Sequence, residues 1–76
     1  MSGLKKVSGY DMVKILCNKF VFSTRRQKGS HVFLSKERAG ITVGCVVPMH
    51  DELKIGTVKG ILKQARVSED EFAAAC

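Results

Sequence analysis

Acidic residues are scarce at the front of this chain. Residues 1 to 30 hold Asp11 alone against Lys5, Lys6, Lys14, Lys19, Arg25, Arg26 and Lys28. No apolar stretch approaches the ~20 residues that span a bilayer, so a membrane protein is not expected. The start, Met1-Ser2-Gly3-Leu4-Lys5-Lys6, runs into a polar segment where a secretory leader would need an apolar one. These absences predict a soluble, cytoplasmic protein. Cys17, Cys45 and Cys76 form neither close pairs nor an even set, which argues against a zinc site and a disulfide framework. They read as free thiols, two of them small core residues and one on a fraying end. Two histidines and isolated carboxylates give no metal-ligand spacing. Gly56 and Gly60 match no Walker or dinucleotide motif and suggest close backbone approach instead. No metal or cofactor is expected. Repeats, linkers and low-complexity stretches are missing as well.

What remains is a small basic domain. The 76 residues are expected to fold as one unit over 1–76, and 45% of them are apolar. A chain this short buries only roughly 60% of the surface its unfolded form exposes, so the core is thin and function belongs on one face. Thirteen basic residues against seven acidic ones leave a net charge of +6. The bases gather at the front, while Glu69, Asp70 and Glu71 close the chain. That division suits a polyanion partner, although a charged surface also serves solubility alone.

The hydrophobic period changes twice. Ser8 reads as a helix N-cap, with Asp11 closing a capping box and Val7 and Met12 flanking it as a staple. Met12, Val13, Leu16, Cys17 and Phe20 recur at helical spacing, so the pattern predicts a helix over 9–19. Residues 20–27 then read as a strand, Lys28-Gly29 as a tight turn and 31–35 as a second strand. Lys36-Glu37-Arg38-Ala39-Gly40 reads as a polar loop. A third strand covers 41–47, with Ile41, Val43, Cys45 and Val47 on one face, a bulge at Gly44 and Pro48 as its end. Ile55, Val58, Ile61, Leu62 and Ala65 restore the helical period. Ser68 and Glu71 form a second capping box, stapled by Val67 and Phe72, for a short third helix. The expectation is an α+β fold in the order α-β-β-β-α, a three-stranded antiparallel sheet with helices on one face and a short C-terminal helix.

The residues that carry chemistry cluster at Gly29-Ser30-His31. An imidazole stands there at a strand start, beside a glycine turn and next to Arg25, Arg26 and Lys28. Histidine is the side chain whose ordinary pKa suits proton transfer near neutrality, and the cations would hold a phosphate. Alone, a histidine at a strand start is often a half-buried polar residue; its basic neighbours favour a functional role. Ser30 has no acidic residue near it in sequence to complete a triad, so it reads as an orienting hydroxyl. His50 beside Asp51 reads as an exposed loop histidine or a second polar contact. With a loop at 36–40, Ser35 would face Ile41 and His31 would lie near Cys45. The Lys28-Gly29 turn would then share one sheet end with Pro48-Met49-His50. The second helix would start close by at Ile55-Gly56-Thr57, where exposed N–H groups attract anions.

Several segments, taken in order, resemble the HicA family. They are Val7-Ser8-Gly9, Arg26-Gln27-Lys28-Gly29-Ser30-His31, Val47-Pro48-Met49-His50, Leu53-Lys54-Ile55-Gly56-Thr57-Val58, Ile61-Leu62-Lys63-Gln64-Ala65 and Ser68 to Phe72. The resemblance runs from Val7 to Phe72. It implies a fold like a double-stranded-RNA-binding domain and the activity of a toxin that cleaves mRNA without a metal. It also implies a HicB-type antitoxin that covers the site, and it makes His31 the catalytic histidine. Two positions depart from the family, which usually has glycine where this chain has Val21 and Arg66; both are helix ends suited to a left-handed residue.

RNA brings its own nucleophile, the 2′-hydroxyl, so a base and a cation suffice. In this reading His31 is the base, Lys28 and Arg26 neutralise developing charge, and Gly29 and Ser30 orient the imidazole or a phosphate oxygen. His50 is a further candidate contact. Two rival readings are a non-catalytic RNA-binding module of the same fold and a protein-interaction domain with a basic face. The duplex binders typically carry a lysine cluster at the second helix start, where Gly56-Thr57-Val58-Lys59 offers one lysine.

Overall fold

The computed structural model describes residues 6–76, so Lys5 of the basic front and the polar start at residues 1–5 lie outside the described residues. The elements are α1 (Gly9–Lys19), β1 (Ser23–Lys28), β2 (His31–Arg38), β3 (Ile41–Pro48), α2 (Ile55–Ala65) and α3 (Glu69–Ala75). This is the expected α+β order, with one antiparallel sheet ordered β1-β2-β3. No helix among the described residues is long and apolar enough to cross a membrane.

Both capping boxes form. The Asp11 N–H donates to Ser8 Oγ at 3.0 Å and the Ser8 N–H to Asp11 Oδ2 at 3.5 Å. At α3 the Glu71 N–H donates to Ser68 Oγ at 3.0 Å and the Ser68 N–H to Glu71 Oε1 at 3.1 Å. Each box satisfies donors that the first helical turn leaves free. The stapling side chains Val7, Met12, Val67 and Phe72 are all buried.

Met12 and Leu16 of α1, Val58, Ile61, Leu62 and Ala65 of α2 and Phe72 of α3 meet Val32, Leu34, Val43, Cys45 and Val47 in one core. Because side chains alternate across a strand, that core takes every second residue of β2 and β3 and leaves the other face of the sheet uncovered. Ile41 shares the core side by alternation but is half exposed, since it stands beyond the core at the hairpin tip. Cys45 is buried, Cys17 half-buried and Cys76 exposed.

The strand boundaries differ from expectation: β1 runs over Ser23–Lys28 and not 20–27, β2 ends at Arg38 and not at residue 35, and β3 takes in Pro48. β1 starts at Ser23, not Phe20, because the chain first has to close α1: the Phe20 and Phe22 N–H groups both donate to the Leu16 carbonyl at 3.1 Å. Between them Val21 adopts φ 64°, and Phe22 drops into the core. β2 continues through Lys36-Glu37-Arg38, and the connection shrinks to Ala39-Gly40, with φ 52° and 80°. Two residues at positive φ make the tight hairpin that suits strand twist. Lys36 holds the extension down by donating to the Phe20 carbonyl at 3.2 Å and lying 4.7 Å from the Phe22 ring centroid. The bulge falls in β1, between Thr24 and Arg26, while β2 and β3 pair without a break past Gly44.

The shorter turn moves the register. Ser35 faces Gly44 and His31 faces Pro48, three residues beyond Cys45. An odd shift reverses the face of every side chain on a strand. A partner at Cys45 would have turned His31 toward the helices; opposite Pro48 it stands on the uncovered face.

Gly56 and Gly60 are not points of close approach, since nothing lies within 4 Å of a Cβ added at either. Gly9 is such a point. A Cβ there would collide with the Pro48 carbonyl oxygen and stand 2.7 Å from Met49 Cα.

Candidate active site

The end of the sheet that carries His31 is assembled by one braced tight turn and two backbone ties between distant parts of the chain. Gly29 takes φ 59°, which a residue without Cβ adopts cheaply, so Gly29-Ser30 can join β1 to β2 directly. Gln27 Nε2 donates to the Gly29 carbonyl at 3.0 Å and braces that turn. The Met49 N–H donates to the Ser30 carbonyl at 2.6 Å, and the His50 carbonyl in turn accepts the Gly9 N–H at 2.9 Å. The Gly-Ser-His turn, the end of β3 and the first turn of α1 are therefore one connected backbone unit.

His31 is exposed and pairs with Lys28 on one side and Pro48 on the other. Residues paired across an antiparallel sheet share a face, with Cβ atoms about 4.5–5.5 Å apart. Lys28 is thus the cation nearest His31 in the sheet. Arg26 occupies the next pair on the same face, two pairs along and opposite Phe33, and its guanidinium carbon lies 4.7 Å from the Phe33 ring centroid. Arg25 sits in the bulge and lines a different depression with Ser23, Ser35, Glu37 and Thr42. Among the described residues the only ion pair joins Lys6 and Glu52 at 3.8 Å, so neither Arg26 nor Lys28 is neutralised by a carboxylate. The face around His31 is left positive and open to an anion.

His50 is brought to the start of α2. It lines a depression of about 280 Å³ with Pro48, Glu52, Leu53, Lys54 and Thr57. Lys54 is the N-cap there and makes no side-chain cap. Pro48 belongs both to this depression and to the pair with His31, so the end of β3 reaches the start of α2, while His31, Lys28 and Arg26 do not line that depression. A larger depression of about 400 Å³, between α1 and the end of α3, is lined by Lys6, Lys14, Ile15, Cys76 and their neighbours. It holds no histidine and lies away from the Gly-Ser-His turn. Among the described residues no group of three or more histidine, cysteine, aspartate or glutamate side chains could hold a metal ion.

Two residues at this end escape a reading of sequence alone. Phe33 shares the face of His31 because it is two residues on, but an incorrect strand register hides the fact that this face is uncovered. Gly9 follows a helix cap, where glycine is unremarkable until its contact with Pro48 and Met49 is seen.

A family model described as HicA toxin of bacterial toxin-antitoxin matches residues 9–67. No curated protein and no solved structure matches the chain.

Proposed function

This chain belongs to the HicA family of toxins from bacterial toxin–antitoxin systems, and from that premise we propose that it is an endoribonuclease that cleaves mRNA with His31 as general base. The observation that carries the reading is the pairing of His31 with Lys28 on the uncovered face, with no carboxylate on either among the described residues. His31 takes the proton of a 2′-hydroxyl as its oxygen attacks the adjacent phosphorus. The bond from phosphorus to the 5′-oxygen breaks, and that oxygen leaves with a proton from water. Lys28 offsets the charge that develops on the phosphoryl oxygens. Gly29 and Ser30 set the imidazole at the strand start, and the Ser30 hydroxyl is a donor to phosphate. Arg26, two pairs further along on the same face, adds positive potential to the approach, and His50 with Lys54 extends it toward α2. A positioned base contributes ~10²–10⁴-fold, and well-aimed charge contributes on a similar scale. The reaction needs no metal, because the substrate supplies the nucleophile.

The whole chain acts as one domain in this reading, in the cytoplasm where mRNA is found. Its partner is a HicB-type antitoxin that silences it by covering the face around His31.

The test is cleavage of a single-stranded oligoribonucleotide in EDTA, beside the same sequence made with 2′-deoxyribose. The expected result is fragments ending in a 2′,3′-cyclic phosphate from RNA and none from the deoxy strand. Equal cleavage of both would remove the 2′-hydroxyl from the mechanism. Tight binding of RNA without cleavage would favour a non-catalytic module of this fold.

A further inference from the structure

Phe33 is out of place for a core residue. The neighbouring apolar side chains of β2, Val32 and Leu34, are buried, and so are Phe22 and Phe72. Phe33 is only half-buried, because it points to the face of the sheet that no helix covers. It stands two residues from His31 on the same strand, about 7 Å along the same face. The planar guanidinium of Arg26 lies over its ring, 4.7 Å from the centroid. On β3, Gly44 is a diagonal neighbour on the same face. A Cβ at Gly44 would meet only the Leu34 carbonyl oxygen, at an ordinary 3.5 Å, so the backbone there does not demand glycine. Its missing side chain opens the diagonal beside Phe33, while Val46 stands directly opposite the ring on the same face.

We propose that Phe33 and Arg26 form a stacking platform for the base of a nucleotide next to the phosphate at His31. The inference rests on the ribonuclease reading above. Unpaired bases stack on aromatic rings and on arginine planes, whereas a base inside an A-form duplex offers neither face. Arg26 stands opposite Phe33 on β1 and Lys28 one same-face position along, with Val46 opposite on β3, so a nucleotide meets a ring for its base and cations on one side for its phosphates. The platform also gives Arg26 a role distinct from that of Lys28. Lys28 is a point charge at the reacting phosphate, and Arg26 offers a plane, which lysine cannot replace. Stacking tolerates any base, so the platform positions the strand and adds only a mild preference.

Binding can be separated from cleavage by using His31→Ala and a fluorescein-labelled single-stranded oligoribonucleotide, read by anisotropy. In that background Phe33→Leu keeps apolar bulk and strand propensity but loses the flat face. It should weaken binding by about 5- to 150-fold, the range of base–aromatic stacking. Gly44→Val removes nothing and fills the flank of the ring, and it should weaken binding in the same direction. An oligonucleotide with abasic sites should bind the parent and Phe33→Leu alike. Urea unfolding of each variant confirms that the fold is intact. Unchanged RNA affinity in both folded variants overturns the platform, and cleavage by wild type then leaves the ribonuclease reading standing. Loss of antitoxin capture with unchanged RNA affinity would overturn it in favour of a protein contact. If wild type neither binds nor cuts RNA, both readings fall.

Discussion

The Met49 N–H donates to the Ser30 carbonyl across 2.6 Å, which locks the turn before His31 to the end of β3. The same strand end rests on Gly9, whose N–H is held by the His50 carbonyl at 2.9 Å. A methyl group at position 9 has no room against Pro48 and Met49. Gly9→Ala should therefore destabilise the fold by about 1–3 kcal/mol, as overpacking does. Chemical denaturation gives the value, and a folded Gly9→Ala protein should also cleave RNA more slowly, because the Ser30–Met49 tie moves with it. Wild-type stability in Gly9→Ala would contradict the close approach.

Val21 and Arg66 sit at φ 64° and 58°, past the ends of α1 and α2. A side chain in the left-handed region costs roughly 1–2 kcal/mol, offset in part by the extra chain entropy that glycine loses on folding. Val21→Gly and Arg66→Gly should each stabilise by about 0.5–1 kcal/mol. Thermal unfolding should register this as a rise of about 4–8 °C per kcal/mol for a domain of this size. Gly60→Ala, with open space around the added methyl, should stabilise α2 by about 1 kcal/mol.

These positions also show what sequence can carry. The capping boxes at Ser8 and Ser68 are legible because every partner lies within four residues. The glycine turn before His31 is legible for the same reason. The strand register is not, because it depends on the length of a hairpin turn. Ala39 gives no sign of the positive φ it adopts, and Lys36-Glu37-Arg38 looks like a loop until the Lys36 contacts with Phe20 and Phe22 are known. The resulting register decides which face His31 occupies, so the motif can be found in sequence while its surroundings cannot. Gly9 enters the site only through tertiary contact, and Phe33 matters only once the register leaves the face it shares with His31 uncovered.

Glu71 has a lowered pKa, chiefly from its hydrogen bond with the Ser68 backbone and then with the Ser68 side chain, helped by the charges of Arg38 and Lys36. A depressed carboxylate stabilises the fold above its unfolded pKa, and that contribution is lost as pH falls through the folded value. Wild type should therefore lose stability relative to Glu71→Gln as pH drops below 4.5, the ordinary value for this group. Urea midpoints across that range test it; a gap that stays constant with pH would contradict the cap's charge dependence.

Burial pushes the Cys45 thiol up from 9.0 to about 11, and proximity to Cys17 adds to the rise. A raised pKa means the folded state favours the protonated thiol. Its stabilising contribution is complete below pH 9.0 and is lost as pH climbs toward 11. Thiol labelling of the native protein should modify exposed Cys76 first and leave Cys45 intact until the core opens. Labelling of Cys45 as fast as Cys76 would contradict its burial.

The central claim is that His31 on the uncovered face removes the proton from the 2′-hydroxyl. The direct measurement compares wild type and His31→Ala on single-stranded RNA in EDTA, at matched, folded protein concentrations. His31→Ala should bind the RNA yet cleave it ~10²–10⁴-fold more slowly, the contribution of a general base. Equal cleavage rates for the two proteins would contradict the account.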